Sequence, residues 1–175
     1  MQFLFDAYIA IRDFMEAGGP VLNAIAITIL LMWILIVERV LYLRDDCNSL
    51  FQVERDSWEA RTERRSWHAH RIREAMISRH RMAVTGSIPL IKTLVALCPL
   101  LGLMGTVTGM IEVFDVLALS GTGNARSMAA GVSRATIPTM AGMVGALSGV
   151  FAATLLSRAA RSEVERLDEN LTMDH

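Results

Sequence analysis

Long apolar runs alternating with densely charged segments set the pattern of this chain. Residues 21–37, 93–111 and 135–157 carry no Asp, Glu, Lys or Arg. At roughly 1.5 Å of helical rise per residue, runs of this kind match a hydrocarbon core about 30 Å thick. The first is the shortest, but Val40, Leu41, Tyr42 and Leu43 extend it past Glu38 and Arg39, whose long side chains are expected to snorkel. The pattern therefore predicts an all-α membrane protein with three transmembrane helices.

The segments between these runs have their own periodicity. Phe3, Leu4, Tyr8, Ile11, Phe14 and Met15 fall on one side of a helical wheel, and Gln2, Asp6, Asp13 and Glu16 on the other. An interfacial amphipathic helix ending at Gly18-Gly19-Pro20 is expected. Its acidic residues and missing basic n-region are unlike a signal peptide, so it is expected to stay on the mature protein. After the first span, Arg44, Arg55, Arg61, Arg64, Arg65, Arg71, Arg73, Arg79 and Arg81 interleave with acids at helical spacings. That spacing predicts a polar helical hairpin.

Charge orients the helices. The turn after the second span offers only Arg126, whereas the long loop and the tail, with Arg158, Arg161 and Arg166, are rich in arginine. The positive-inside rule places loop and C-terminus in the cytoplasm and the N-terminus outside. The expected order is an exoplasmic amphipathic helix at 1–19, spans at 20–43, 88–117 and 128–157, a cytoplasmic helical loop at 44–87, an exoplasmic turn at 118–127 and a cytoplasmic tail at 158–175.

Composition excludes several chemistries. Apolar residues make up 53% of the chain, and the net charge of -1 conceals the local asymmetry. Cys47 and Cys98 form no disulfide or metal spacing. His68, His70 and His80 lie in the polar loop without a completing Cys or carboxylate set, and are expected to be solvated surface residues. The arginines are nearly matched by acids, which favours a solvated surface facing lipid headgroups over nucleic acid. With no nucleophile and base constellation, the chain is not expected to be an enzyme, and no cofactor or metal is implied.

The second and third spans are unusual for lipid-facing helices. Gly102, Thr106, Gly109 and Val113 share one face of the second, beside Gly105, Thr108, Glu112 and Asp115. The third carries Thr139, Gly142, Ala146, Gly149 and Ala153 along one stripe and Pro138, Ala141, Gly145, Ser148 and Ala152 along another. Such faces suit close helix packing, with or without a cavity, so a non-conducting scaffold stays open as an alternative. Pro99 and Pro138 remove one backbone donor each, freeing the carbonyls of Val95 and Arg134 and predicting kinks. Between residues 93 and 111, and again between 135 and 157, there is no Asp, Glu, His or Lys to carry a proton. Glu112 and Asp115 lie where they would collect cations at the exoplasmic end.

Two segments resemble a known family. Pro99-Leu-Leu-Gly-Leu-Met-Gly-Thr-Val-Thr-Gly-Met110 and Gly131-Val-Ser-Arg-Ala-Thr-Ile-Pro-Thr-Met-Ala-Gly-Met143 are similar to the second-span and third-span signatures of the MotA/TolQ/ExbB proton-channel family. The resemblance is strongest to a short ExbB of a TonB system, with TolQ-like envelope maintenance as the alternative. It implies a homopentameric ring in the inner membrane around helices of an ExbD-like partner, which supplies the proton-carrying aspartate. Thr106 and Thr139 would line the pore, and a TonB-like protein would carry the force to an outer-membrane transporter, as in iron uptake. Arg134 stands where many members have an acid. It is expected either to pair with Glu112 or Asp115 or to turn to lipid headgroups, at a possible exoplasmic mouth.

Overall fold

The computed structural model describes residues 2–60, 66–120 and 125–171, apart from the side chains of 2–4, 6–8, 10, 17, 45–50, 119–120, 125–127 and 130. Residues 121–124 of the turn expected at 118–127, and the side chains of Arg126, Phe3, Leu4 and Tyr8, lie outside what is described. Among the described residues four helices follow one another: α1 (Gln2–Glu59), α2 (Trp67–Thr85), α3 (Ile88–Ser120) and α4 (Ala125–Asn170). The fold is all-α. Three helical stretches, within Gly18–Arg44, Trp67–Ala118 and Gly131–Asn170, are long and apolar enough to cross a membrane.

Local chemistry explains the helix breaks. Gly19, at φ 66 and ψ -165, interrupts α1 just before Pro20. Only glycine occupies that backbone region without strain, and proline is well suited to restart a helix because its missing N–H would have had no partner there. Ser66 caps α2, its side chain accepting the Ala69 N–H at 3.2 Å. Pro99 and Pro138 lie inside α3 and α4, which both continue through them.

The chain divides into two compact units. The first combines Met1–Trp33 with Thr93–Val150. Its buried positions recur at helical intervals: Val21, Leu22, Ile25, Thr28 and Met32 on α1, Val95, Cys98, Gly102, Gly105 and Val113 on α3, and Ala135, Pro138, Gly142, Gly145, Ala146 and Gly149 on α4. The outward positions are as apolar as the inward ones, with Leu30, Leu103, Val107, Val144 and Leu147 all exposed. A membrane span has this distribution, because hydrocarbon rather than water receives the outer face.

The second unit combines Ile34–Lys92 with Phe151–His175. Phe51, Trp58, Ala69, Met76, Leu167 and Leu171 form its apolar cluster. Arg73 closes the end of α4 by donating to the carbonyls of Leu171 and Asp168, at 2.7 and 2.8 Å, and to the Asp168 carboxylate at 2.6 Å. A cation at a helix C-terminus also meets the negative end of the helix dipole.

Two expectations are corrected in this unit. Arg39 does not snorkel: it is buried, donates from Nη2 to the Ala83 carbonyl and lies over the Tyr42 ring. That carbonyl belongs to the last turn of α2, where the helix has run out of N–H donors. His68 and His70 are exposed as expected, but His80 is fully buried. It shares the inward stripe of α2 with Met76 and Val84, four residues on either side, so helical register outweighs its polarity.

Candidate functional site

The small residues of α3 and α4 let two backbones meet. A Cβ placed on Gly142 would stand 2.5 Å from the Cys98 carbonyl oxygen, and one on Gly102 would stand 3.0 Å from the Thr139 Cα. Gly109 faces Ala135, with 2.7 Å between such a Cβ and the alanine Cβ. Gly105 meets Pro138 and Gly131 meets Val113. One continuous antiparallel seam thus runs through residues 98, 102, 105, 109 and 113 of α3. Gly145 and Gly149 have a different role, since they receive Ile29 and Met32 from α1, with Val95 also touching Gly149.

Hydroxyl groups line this packing, and they divide into two kinds. Thr106 donates to the Leu103 carbonyl at 2.7 Å, Thr108 to those of Met104 and Gly105, both at 3.1 Å, and Ser148 to that of Gly145 at 2.8 Å. These bonds return to the residue's own helix, the usual fate of a hydroxyl in apolar surroundings. Thr139 instead crosses to α3, donating to the Gly102 carbonyl at 3.0 Å. In helical geometry the same carbonyl accepts the N–H of Thr106. One oxygen therefore joins the two threonines, both of which are half-buried.

That arrangement fixes what the hydroxyls offer to anything beside them. Each has committed its single proton to a carbonyl, so each presents oxygen lone pairs. A protonated acid or a water is a suitable partner, and a bare carboxylate is not. Gly102, Gly105, Gly109, Gly142 and Thr139 come together at the α3/α4 contact, and Thr106 follows Gly102 by one turn on α3 with its hydroxyl on its own helix, whereas Glu112, Asp115 and Arg134 stay apart from it. All three are exposed and, among the described residues, none makes an ion pair. The interhelical hydroxyl bond and the contribution of Gly131 to the seam were missed in the sequence. A signal for Gly131 existed in the repeat 131, 135, 138, 142, while the choice of acceptor by Thr139 depends on how close α3 comes.

The signature of the MotA/TolQ/ExbB proton channel family matches residues 46–169, the whole seam included. The chain belongs to this family. Two relatives from Synechocystis sp. (strain ATCC 27184 / PCC 6803 / Kazusa) are similar over shorter stretches. The biopolymer transport protein ExbB-like 1 is 48% identical over 61 residues, covering 33% of this chain and 24% of that protein. The biopolymer transport protein ExbB-like 3 is 33% identical over 75 residues, covering 38% of this chain and 36% of that protein. The matched stretches thus span about a quarter to a third of the relatives' own lengths. The chain is an ExbB-like member of a proton-channel family and a multi-pass membrane protein.

Proposed function

We propose that this chain is the ExbB-like subunit of an inner-membrane proton channel that works as a motor. Copies of it form a ring, a pentamer by analogy with the family, around the transmembrane helix of an ExbD-like partner. The arginine distribution supports an N-terminus outside and a C-terminus in the cytoplasm. Proton flow moves the partner within the ring, and a TonB-like protein carries the motion to an outer-membrane transporter.

The observation that carries this reading is the pair of proton-committed hydroxyls, Thr106 on Leu103 and Thr139 on Gly102, in apolar runs, 93–111 and 135–157, without a proton carrier of their own. A carboxylic acid borrowed from a partner finds acceptors there while protonated and loses that stabilisation when it ionises. The two threonines line the pore and steady the acid in its neutral form. Pro99 and Pro138 add freed carbonyls at membrane depth, and Glu112 and Asp115 gather cations at the exoplasmic mouth, with Arg134 turned toward headgroups.

Reconstitution in liposomes tests it. The chain with its partner passes protons down an imposed gradient, and the chain alone passes few at neutral pH. Rapid selective flux from the chain alone would place the carrier elsewhere.

A further inference from the structure

The second unit separates its charges by level. Its segments 75–92 and 151–162 hold Arg79, Arg81, Lys92, Arg158 and Arg161 and no Asp or Glu. All five side chains are exposed and, among the described residues, none makes an ion pair. Arg79 makes only a 3.4 Å bond from Nε to the Ala75 carbonyl of its own helix. The acids of α2 and α4 stand further out. Glu74 is paired with Arg71, Asp168 with Arg73 and Glu163 with Arg166, while Glu165 and Glu169 are exposed without an ion pair. On α1, Glu54 lies 2.8 Å from His80 and Glu59 is paired with Arg55.

The tie between Arg73 and Asp168 sets the register of α2 against α4. From it, Arg79 and Arg81 lie six and eight residues along α2, about 9 and 12 Å of helical rise, and Arg161 and Arg158 lie seven and ten residues back along α4, about 10 and 15 Å. Both steps lead toward the apolar runs. The four arginines therefore share one level, beside the point where the charge-free run of α4 ends at residue 157. Exposed apolar side chains adjoin them on the side of the spans, Met82 and Leu90 after Arg81 and Leu155 before Arg158. Lys92 lies deeper, on a stem long enough to snorkel.

We propose that Arg79, Arg81, Arg158 and Arg161 form a binding belt for phospholipids of net negative headgroup, selected over zwitterionic ones. Like charges gathered at one level repel each other and are stabilised by an anion beside them. In a ring whose axis follows the membrane normal, a neighbouring copy brings the same arginines to the same height, so the anion comes from another molecule. The apolar step beside the belt decides its kind. A phospholipid matches both features, phosphate against guanidinium and acyl chain against Met82, Leu90 and Leu155, whereas a soluble acidic protein matches only the charge. A zwitterionic headgroup carries its own cation and gains less from the belt, and each basic residue near the surface adds to the preference for anionic lipid. On α1, Arg44 is offset by Glu38, Asp45 and Asp46, so the belt belongs to α2 and α4. The proposal rests on the helices spanning a membrane and not on proton conduction.

The test places the full chain in phosphatidylcholine bilayers with a trace of spin-labelled phosphatidylglycerol or spin-labelled phosphatidylcholine, and reads the motionally restricted fraction of each label by electron paramagnetic resonance. At about 0.1 M salt the anionic label is expected to associate about twofold or more better than the zwitterionic one. At about 1 M salt, where the screening length falls to about 3 Å, the ratio is expected to approach one. Arg158→Gln with Arg161→Gln is expected to lower the ratio, and the further changes Arg79→Gln and Arg81→Gln to lower it again. Arg55→Gln with Arg71→Gln, at the other end of the unit, is expected to leave it unchanged. A parent without preference would leave the arginines to an acidic protein and overturn the proposal, as would a preference that survives high salt or the loss of the four arginines. The salt series needs no variant, so a variant that fails to fold leaves the proposal testable. Because no partner or gradient is required, failure of proton flux in liposomes would not bear on it.

Discussion

The Thr139 hydroxyl reaches across to the Gly102 carbonyl, 3.0 Å away, and is thereby tied to a neighbouring helix instead of its own. The absence of a side chain at Gly102 makes room for this approach, since a Cβ there would sit 3.1 Å from the Pro138 carbonyl oxygen, a tight contact. The bond links the seam to the proposed proton path, because packing holds the hydroxyl proton on Gly102 and leaves the lone pairs free.

Thr139→Ser keeps the interhelical bond and Thr139→Val removes it. Hydrogen bonds between membrane helices contribute about 0.6 kcal/mol on average and at most about 1.7. Denaturant titration in micelles is expected to show a loss of that size for valine and almost none for serine. Equal stability of the two variants would show that the bond contributes nothing to packing.

Gly142→Ala brings a methyl group to 2.5 Å from the Cys98 carbonyl oxygen, a backbone atom that moves only with its helix. The expected cost of such overpacking, about 1–3 kcal/mol, exceeds the gain in helix propensity of about 1 kcal/mol. Gly131→Ala meets the Val113 side chain, which has rotamers to change, and is expected to cost less. Thermal unfolding of the two variants ranks them.

Arg73→Met leaves the terminal carbonyls of α4 without their donor. Charge-assisted bonds contribute about 1.5–3 kcal/mol each when shielded, but the Asp168 side chain is half exposed, so its ion pair adds little to the two carbonyl bonds. Faster amide exchange near Leu167 and Leu171 is expected in Arg73→Met, and a smaller change in Asp168→Asn. Exchange unchanged by Arg73→Met would assign the closure to the apolar cluster.

What was legible in the sequence follows from what is local. Charge-free length marks a span, and the spacing of Gly102, Gly105 and Gly109 marks a close-packing face, because both depend on residues a turn or so apart. His80 and Arg39 were misread for the opposite reason. Their burial depends on partners far along the chain, Glu54 and Ala83, which composition and local spacing do not reveal. The crossing bond of Thr139 belongs with them, since in sequence it looks like any intramembrane threonine.

Proton flux through the reconstituted complex of this chain and its partner, with Thr106→Val and Thr139→Val together, tests the central claim most directly. Both substitutions keep side-chain volume and remove the oxygens that receive the acid's proton. Because losing hydrogen-bond stabilisation of about 1.4 kcal/mol slows a step about tenfold, the double variant is expected to assemble normally and to pass protons at about a tenth of the parent rate or less. Assembly with undiminished flux would contradict the account, because the proton would then be travelling by a route that these hydroxyls do not line.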